Sequence, residues 1–297
     1  MNPPDPRRDP GHYPTRYTLP TRFADMDLWQ HLNNASLIGL HGEAVQRWLG
    51  ETLGPEAWRP VADAPVLALL HGATDFVAES HYPAPLEAGV RLAACDAQGL
   101  TLATALFQQG RCVGLHEARL ATWQHGVAVD LPPALLAALP ALPAPEPGSA
   151  SPADAPPSRD RMAWHTTLAT RFGDTDARGM ASDASLARFA EQLRVSFLTE
   201  QLGELRHAGS TGFMVGRVAL RWWHRGTRPP AAWQAGGRIT RIGERSISLQ
   251  GALFDEAGTC HASAESVLVC IDRHTRRSTP LPEGLRAALG AVQAAAG

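Results

Sequence analysis

The sequence lacks the features that define several large classes of protein. No run approaches 18 apolar residues, so we expect no membrane span, and residues 1–11 contain no apolar stretch typical of a signal peptide. The 27 cationic residues do not exceed the 29 acidic ones, which argues against a nucleic-acid binder. No C-x-x-C spacing, glycine-rich nucleotide loop or G-x-S-x-G motif occurs. We therefore expect no metal, no cofactor and no nucleic-acid or membrane partner, and the few cysteines favour a reducing, cytoplasmic location.

Lysine is absent and asparagine is rare. All 27 cationic residues are arginine, and the only asparagines are Asn2, Asn33 and Asn34. Two of three asparagines lie side by side in a sequence biased against them, which indicates a physical role for that pair. Apolar residues make up 44% and charged residues 19%, as in a globular protein, and 297 residues suffice for two domains.

A proline- and alanine-rich segment divides the chain into two related halves. Residues 140–160 contain no aromatic side chain and are typical of a semi-rigid linker, which predicts an N-terminal domain at 12–139 and a C-terminal domain at 161–297. The halves repeat each other, because T-R-F-A-D-M-D at 21–27 matches T-R-F-G-D-T-D at 170–176 and the register continues without a gap. We therefore expect two domains with the same fold.

Each half repeats one order of secondary structure. A strand at about 14–22 or 163–171 leads into the acidic loop, an amphipathic helix follows at 34–53 or 183–202, and glycine ends each helix. Four strand-like runs complete each half. They are expected at about 65–78, 88–97, 100–109 and 111–123 in the first half and at about 212–223, 232–241, 244–255 and 260–271 in the second. The pattern predicts an α+β fold with one long helix and a five-stranded antiparallel sheet in each half.

The loop before the first helix resembles the signature of a known family. Residues 25–34 read D-M-D-L-W-Q-H-L-N-N, close to the D-x-D-x-x-[GQ]-H-V-N-N motif of hotdog-fold thioesterases of the 4-hydroxybenzoyl-CoA thioesterase type. Plant acyl-ACP thioesterases, which are tandem hotdogs, carry a similar Q-H-V-N-N. The resemblance implies a tandem hotdog, in which each curved sheet wraps its helix and the two sheets pair side by side. Sites would then lie at the pairing surface and draw residues from both halves.

The same resemblance implies a reaction and the residues that perform it. The implied activity is hydrolysis of acyl-CoA thioesters, with Asp27 or its counterpart Asp176 as nucleophile or as general base toward water. A backbone N–H at the helix start, at Asn34 in the first half, would face the thioester oxygen. His31 would donate to the carbonyl or hold a water, and Asn33 would orient water or the aspartate.

The second half departs from the family motif where chemistry is expected. Met180, Ser182 and Asp183 stand where the first half has a histidine and two asparagines. An acidic residue at a helix start would repel an oxyanion. We therefore favour a site centred on Asp27 and leave the site at Asp176 open.

Some of these residues also have structural interpretations. Capping of the helix alone would explain one of the two adjacent asparagines. Asp25 is expected to shape the loop or pair with Arg22, and Glu43, where some hotdog enzymes place a catalytic glutamate, could instead pair with Arg47. The arginines at 273, 276 and 277 suit phosphate, although ordinary solvated arginine explains them equally in a chain without lysine.

The function therefore has one leading interpretation and several alternatives. The leading one is an acyl-CoA thioesterase whose partner is an acyl-CoA or acyl-carrier-protein thioester. The alternatives are an acyl-ACP thioesterase, a hotdog dehydratase, and a non-catalytic acyl-thioester-binding protein. Outer sheet edges would leave room for a homo-oligomer of the tandem unit.

Overall fold

The computed structural model describes residues 5–55, 59, 64–139, 155–203, 210–225 and 228–294. The first half contains β1 (Thr15–Leu19), α1 (Asn34–Leu53), β2 (Val66–Phe76), β3 (Leu86–Asp96), β4 (Gly99–Gln108), β5 (Arg111–Gln124), β6 (Val127–Val129) and α2 (Pro133–Ala138). The second half contains β7 (Trp164–Ala169), α3 (Asp183–Leu202), β8 (Thr211–Trp222), β9 (Ala232–Ile242), β10 (Ser246–Phe254), β11 (Cys260–Asp272) and α4 (Glu283–Ala294). None of the helices in these ranges is long and apolar enough to cross a membrane.

The two halves form one continuous antiparallel sheet with mirrored strand order. The order β1-β3-β4-β5-β2 in the first half joins β8-β11-β10-β9-β7 in the second, and β6 pairs with the end of β5. The halves meet where β2 pairs with β8, in a register that runs from His71 opposite Arg221 to Asp75 opposite Arg217. The predicted α+β tandem hotdog is confirmed. Strands β1 and β7 end the sheet, so the predicted further association stays a prediction.

The two long helices begin and end at the predicted residues. Asn33 caps α1 and Ser182 caps α3, each with a side-chain oxygen that accepts a backbone N–H of the first turn. Gly54 and Gly203 end the helices with φ of 106° and 50°, which favour glycine. The predicted apolar faces are buried. They are Ile38, His41, Val45, Trp48 and Leu49 in α1 and Leu186, Phe189, Leu193, Phe197 and Leu198 in α3.

The packing of these helices decides where a site can form. Helix α1 packs on β3 and β4 of its own half, and α3 packs on β9 and β10 of the other. The two helices also pack against each other across the junction between the halves. Side chains of α3 therefore reach the loop that precedes α1.

The strands match the prediction closely, with additions at the end of each half. Every predicted strand is present within a few residues of its expected bounds. The prediction missed the short β6 and the helices α2 and α4, which begin after the proline-containing segments that close each half. Helix α4 buries Leu285 and Leu289, which pack into the main core. Residues 140–154 of the predicted linker lie outside the described residues, so the domain boundaries stay predictions.

Candidate active site

The acidic loops of the two halves have the same backbone conformation. The backbone N–H of Asp27 donates to the carbonyl oxygen of His31 at 3.0 Å, and that of Asp176 donates to Met180 at 2.8 Å. The residue before each acceptor has a left-handed φ, 66° in the first loop and 78° in the second. Both loops therefore present the second aspartate in the same way, and the halves differ in the side chains around it.

In the first half, Asp27 lies beside a histidine. Its Oδ2 is 3.3 Å from Nδ1 of His31, and its Oδ1 accepts the backbone N–H of Trp29 at 2.8 Å. The side chains of Asp27 and His31 are 18% and 14% exposed, so both are shielded from water yet reachable. A carboxylate and an imidazole in this arrangement can take a proton from water and pass it on.

The two adjacent asparagines have different surroundings. Asn33 is the cap of α1, because its Oδ1 accepts the N–H groups of Ala35 and Ser36 at 2.7 and 3.3 Å. Its Nδ2 donates to Oε1 of Glu191 in the other half at 2.6 Å. Asn34 is the first residue of α1, and its backbone N–H has no acceptor among the described residues. Capping thus accounts for Asn33 only in part, while Asn34 supplies a free donor at the positive end of a helix.

Sequence reasoning missed two residues that α3 brings to this loop. Glu191 bonds to Asn33, and Nη2 of Arg194 lies 4.0 Å from the same carboxylate. Arg194 is almost fully buried, and its burial lowers the pKa of the guanidinium. An acidic residue three positions before an arginine in a helix is typical of a solvated pair, so the sequence gives no signal of this contact. The family pattern points one residue further on, to Gln192.

The loop borders two cavities. A cavity of about 810 Å³, here called the sheet-side cavity, is lined by Asp27, His31 and Asn34 and by residues of α3, β8 and β11. Its apolar wall includes Leu37, Phe76, Leu198, Phe213, Met214 and Leu268. A second cavity of about 1150 Å³, the helix-side cavity, lies along α1 and α3. Asp27 and Glu191 line both cavities, so each cavity draws residues from both halves of the chain.

In the second half, the equivalent aspartate is bound to an arginine. Oδ2 of Asp176 accepts Nε and Nη2 of Arg178 at 3.0 and 2.7 Å. Its Oδ1 accepts the backbone N–H groups of Arg178 and Met180. The guanidinium also donates to the carbonyl oxygen of Leu67 in the first half at 3.1 Å. Such a two-pronged ion pair neutralises the carboxylate, and Met180 is buried where the first half has His31.

The helix start of the second half is also filled by side chains. Asp183, the first residue of α3, accepts Nε1 of Trp222 at 2.9 Å and a guanidinium hydrogen of Arg225. Arg225 is 3% exposed, lies over the Trp222 ring at 4.9 Å, and donates to the carbonyl oxygen of Leu69 in the first half. Asp176 lines neither of the two cavities.

Two other candidate residues have structural partners. The buried Asp25 forms an ion pair with Arg22 at 2.7 Å, as expected. Glu43 lies on the rim of the helix-side cavity and pairs with Nε of Arg47 at 2.8 Å. Within the residues that the structure describes, no group of three histidine, cysteine or acidic side chains could hold a metal ion. The structure therefore brings five residues together in the candidate site near Asp27: that aspartate, His31, the two asparagines and Glu191.

Comparisons with known proteins agree with this fold. Residues 170–289 match the family model of the thioesterase-like superfamily. A plant 12:0-ACP thioesterase from Umbellularia californica is 10% identical with a TM-score of 0.65, over 89% of this chain and 94% of its own. A protein described as an oleoyl thioesterase from Lactobacillus plantarum is 13% identical with a TM-score of 0.63, over 91% and 97%. An acyl-ACP thioesterase from Bacteroides thetaiotaomicron is 12% identical with a TM-score of 0.56, over 86% and 97%.

These likenesses differ in what they establish. No curated protein compared with the chain matches it significantly. At 10–13% identity the solved structures show the fold, which is the tandem hotdog that the sequence predicts. The family model matches the second half, where Asp176 is bound to Arg178. The resemblance to tandem hotdog thioesterases is confirmed.

Proposed function

We propose that this protein hydrolyses acyl thioesters at one site, built around Asp27. Residues 170–289 match the thioesterase-like superfamily, and the described residues of both halves have the tandem hotdog fold. One observation carries the proposal. Asp27 and His31 lie 3.3 Å apart at the wall of an 810 Å³ cavity, whereas the matching Asp176 is bound on both oxygens.

The side chains of the site can carry each step of the hydrolysis. The thioester carbon lies against Asp27, which either deprotonates an attacking water or attacks the carbon itself. The carbonyl oxygen becomes negative and accepts the backbone N–H of Asn34 at the start of α1. If Asp27 acts as the base, the C–S bond then breaks to give the free acid, and the thiolate takes the proton that Asp27 received from the water. If Asp27 attacks, the C–S bond breaks to leave an anhydride between the acyl group and Asp27, water hydrolyses that anhydride to the free acid, and a proton of this water passes to the thiolate. Asn33 joins this loop to Glu191, which fixes the helix start against the second half.

The proposal extends to the acyl group and the thiol carrier of the substrate. The mainly apolar wall of the sheet-side cavity suits an acyl chain or the uncharged arm of a thiol carrier. The acyl donor is an acyl-CoA or an acyl carrier protein. The acyl-ACP thioesterases among the structural neighbours support including the carrier protein.

Release of free thiol from a panel of thioesters tests this function. Short, long and aromatic acyl-CoAs and an acyl carrier protein are offered to the wild type, Asp27→Asn and Asp176→Asn. We expect Asp27→Asn to lower kcat about 10²- to 10⁴-fold, the usual contribution of a positioned acid–base group. Asp176→Asn is expected to keep kcat within about threefold while lowering the melting temperature, because Arg178 loses its partner.

The outcomes separate the proposed function from its alternatives. Folded wild type that turns over no thioester, yet binds acyl-CoA, would make the protein an acyl-thioester binder. Equal loss of kcat in both variants would place catalysis in both halves and contradict the single site. Hydration of an enoyl thioester without thiol release would instead identify a dehydratase.

A further inference from the structure

Two arginines are buried among the residues that the structure describes, and their surroundings differ. Arg194 is 8% exposed and Arg225 is 3% exposed. The two terminal nitrogens of Arg225 donate to a carboxyl oxygen of Asp183 and to the carbonyl oxygens of Leu69 and Ala181. A buried guanidinium needs such acceptors, because an unpaired charge inside a protein costs free energy. Arg225 therefore has an anion and several acceptors within the protein.

Arg194 lacks such a set of acceptors. Its only hydrogen bond to the described residues joins Nη1 to Oγ of Ser266 at 3.4 Å, which is long for a bond of this kind. The carboxyl oxygen nearest to Nη2 is Oε1 of Glu191, at 4.0 Å, which is too far for a hydrogen bond. That oxygen already accepts Nδ2 of Asn33 at 2.6 Å. Most N–H groups of Arg194 therefore have no acceptor in the described part of the chain.

The side chain of Arg194 lines the sheet-side cavity, and its neighbours in the wall are apolar. Leu198 lies one turn further along α3, and Leu268 lies two residues after Ser266 in β11. Val215 is paired with Leu268 on the adjacent strand β8. These side chains offer no hydrogen-bond acceptor. An acceptor for the guanidinium can then come from a molecule that occupies the cavity.

The repeat shows that the helix does not need a charge at this position. Helix α1 has Gly42 and Val45 at the positions that match Glu191 and Arg194, and Val45 is buried. A position that is apolar in one half therefore holds a guanidinium in the other, in the helix that lines the cavity beside Asp27. Burial lowers the pKa of Arg194 more than Glu191 raises it, so the protein stabilises this charge incompletely.

Arg194 lies deeper in the cavity than the acidic loop does. The loop is at the exposed end of the strands, because Leu32 donates its N–H to the carbonyl oxygen of Ser80, just after β2. Ser266, which Arg194 contacts, lies about 20 Å along β11 from the end of that strand at Asp272. An acyl group whose thioester is at the loop would therefore extend toward Arg194.

We propose that Arg194 binds a second carboxylate in the acyl group, so that the substrates are thioesters of dicarboxylic acids, and this proposal rests on the proposed function. A carboxylate fits a guanidinium because the two groups form parallel N–H···O bonds. Its charge would add to the stabilisation that Glu191 provides from 4.0 Å. Succinyl, glutaryl and adipyl thioesters belong to this class and differ in the distance between the thioester and the free carboxylate.

Matched pairs of thioesters test the proposal with the wild type alone. Succinyl, glutaryl and adipyl groups are compared with butyryl, pentanoyl and hexanoyl groups and with the methyl esters of the three diacids, all on the same thiol. The methyl esters keep the polar end of the chain and remove its charge. We expect the best dicarboxylic group to exceed its uncharged counterparts in kcat/KM about 10- to 100-fold, the usual contribution of one charged hydrogen bond.

Arg194→Met tests whether this residue is responsible. Methionine is an apolar side chain of similar length, and the matching Val45 shows that an apolar side chain suits the position. We expect the ratio of kcat/KM between dicarboxylic and uncharged groups to fall to about one or below, and Arg194→Lys to keep part of the preference. A ratio is the correct measure, because loss of the cation beside Glu191 would lower turnover of both kinds of substrate alike.

Arg188→Met is the matched control. Arg188 is an exposed arginine of the same helix, pairs with Asp174 and lines the helix-side cavity instead. We expect this variant to keep the wild-type ratio. A preference that disappears in Arg188→Met and persists in Arg194→Met would place the carboxylate in the helix-side cavity and contradict the proposal.

Two further results would overturn the proposal. One is equal kcat/KM for charged and uncharged groups in the wild type, and the other is a preference that Arg194→Met retains. If the wild type releases no thiol from any thioester, the proposed function fails separately. Calorimetry with thioether analogues of glutaryl-CoA and pentanoyl-CoA then decides the role of Arg194. Tighter binding of the glutaryl analogue that is lost in Arg194→Met supports it, and equal binding or no binding contradicts it.

Discussion

The two halves of this protein share a backbone and differ in what their acidic loops bind. In the first half, Asp27 faces His31 and a cavity, and the backbone N–H of Asn34 at the start of α1 has no acceptor in the described part of the chain. In the second, Asp176 is bound to Arg178, and Asp183 is bound to Trp222 and a buried guanidinium. The two loops therefore have the same backbone conformation but different surroundings. The first borders an open cavity, and the second contains ion pairs between its own acidic residues and buried arginines.

The second-half residues join the two halves together. Arg178 and Arg225 each bond to a backbone carbonyl of β2 in the first half, those of Leu67 and Leu69. The same arginines neutralise Asp176 and Asp183. In the first half the acidic loop would serve the reaction, whereas in the second half the matching acidic residues help to hold the two halves together. Mutations are therefore expected to lower turnover in the first half and stability in the second.

The largest effect on stability is expected from Arg225→Met. Removing one partner of a buried ion pair costs about 3–5 kcal/mol. We expect the lower end of this range in the free energy of unfolding, because Asp183 is about one-third exposed and keeps its bond to Trp222. Urea unfolding measures the change, and kcat per folded molecule should stay near that of the wild type.

Arg217→Met is the control for this prediction. Arg217 also forms an ion pair between the halves, with Asp75, but both side chains are more than one-third exposed. Its loss is expected to change the free energy of unfolding by less than about 1 kcal/mol. Equal destabilisation by the two variants, or loss of turnover without loss of stability in Arg225→Met, would contradict the structural role of the second-half site.

Glu191→Gln is expected to have a smaller effect, and on turnover rather than on stability. The variant keeps a hydrogen-bond acceptor for Asn33 and removes the negative charge. We expect kcat to fall about 10- to 100-fold, because a neutral amide holds Asn33 and the start of α1 less firmly than a carboxylate does and leaves Arg194 without the anion that lies 4.0 Å away. Gln192→Ala, one residue along the same helix, is the control and should retain activity. Wild-type kcat in Glu191→Gln would show that the charge of Glu191 is not needed to position the start of α1.

Lowering the pH should destabilise the first half before the second. Burial lowers the pKa of His116 and His71 to about 4 and holds that of His41 well below its usual range. These neutral histidines take up protons on unfolding. Their contribution to the free energy of unfolding is therefore complete above about pH 6.5 and is lost as the pH falls toward 4. Each contributes at most about 1.4 kcal/mol per pH unit.

Amide hydrogen exchange between pH 7 and pH 4.5 checks this difference. We expect protection to decline first in α1, β2 and β5, which carry the three histidines. In α3, Ala190 occupies the position that matches His41. Equal decline in both halves would show that these histidines do not govern acid stability.

Local sequence signals predicted most of the fold. The cap at Asn33 and the glycines after each helix fixed the bounds of α1 and α3, since capping and left-handed φ are properties of a few neighbouring residues. The repeat predicted two halves with the same fold, and the resemblance to tandem hotdogs implied that their sheets pair side by side. Short elements such as β6 and α2 were not predicted, because they span too few residues to show a periodic pattern of apolar side chains.

The parts of the site that depend on contacts between residues far apart in the sequence could not be predicted. Glu191 meets Asn33 only because α1 packs on α3, and Arg225 meets Asp183 across 42 positions of sequence. The pairing of Arg178 with Asp176 is the exception. Its two-residue spacing is a local signal that the second loop carries its own partner.

The central claim is that each chain has one open site, and counting sites tests it most directly. Isothermal titration calorimetry with a non-hydrolysable thioether analogue of the best thioester from the panel gives the number of molecules bound per chain. The account predicts one, with binding unaffected by Asp176→Asn. Two molecules per chain, one of them lost in Asp176→Asn, would contradict it.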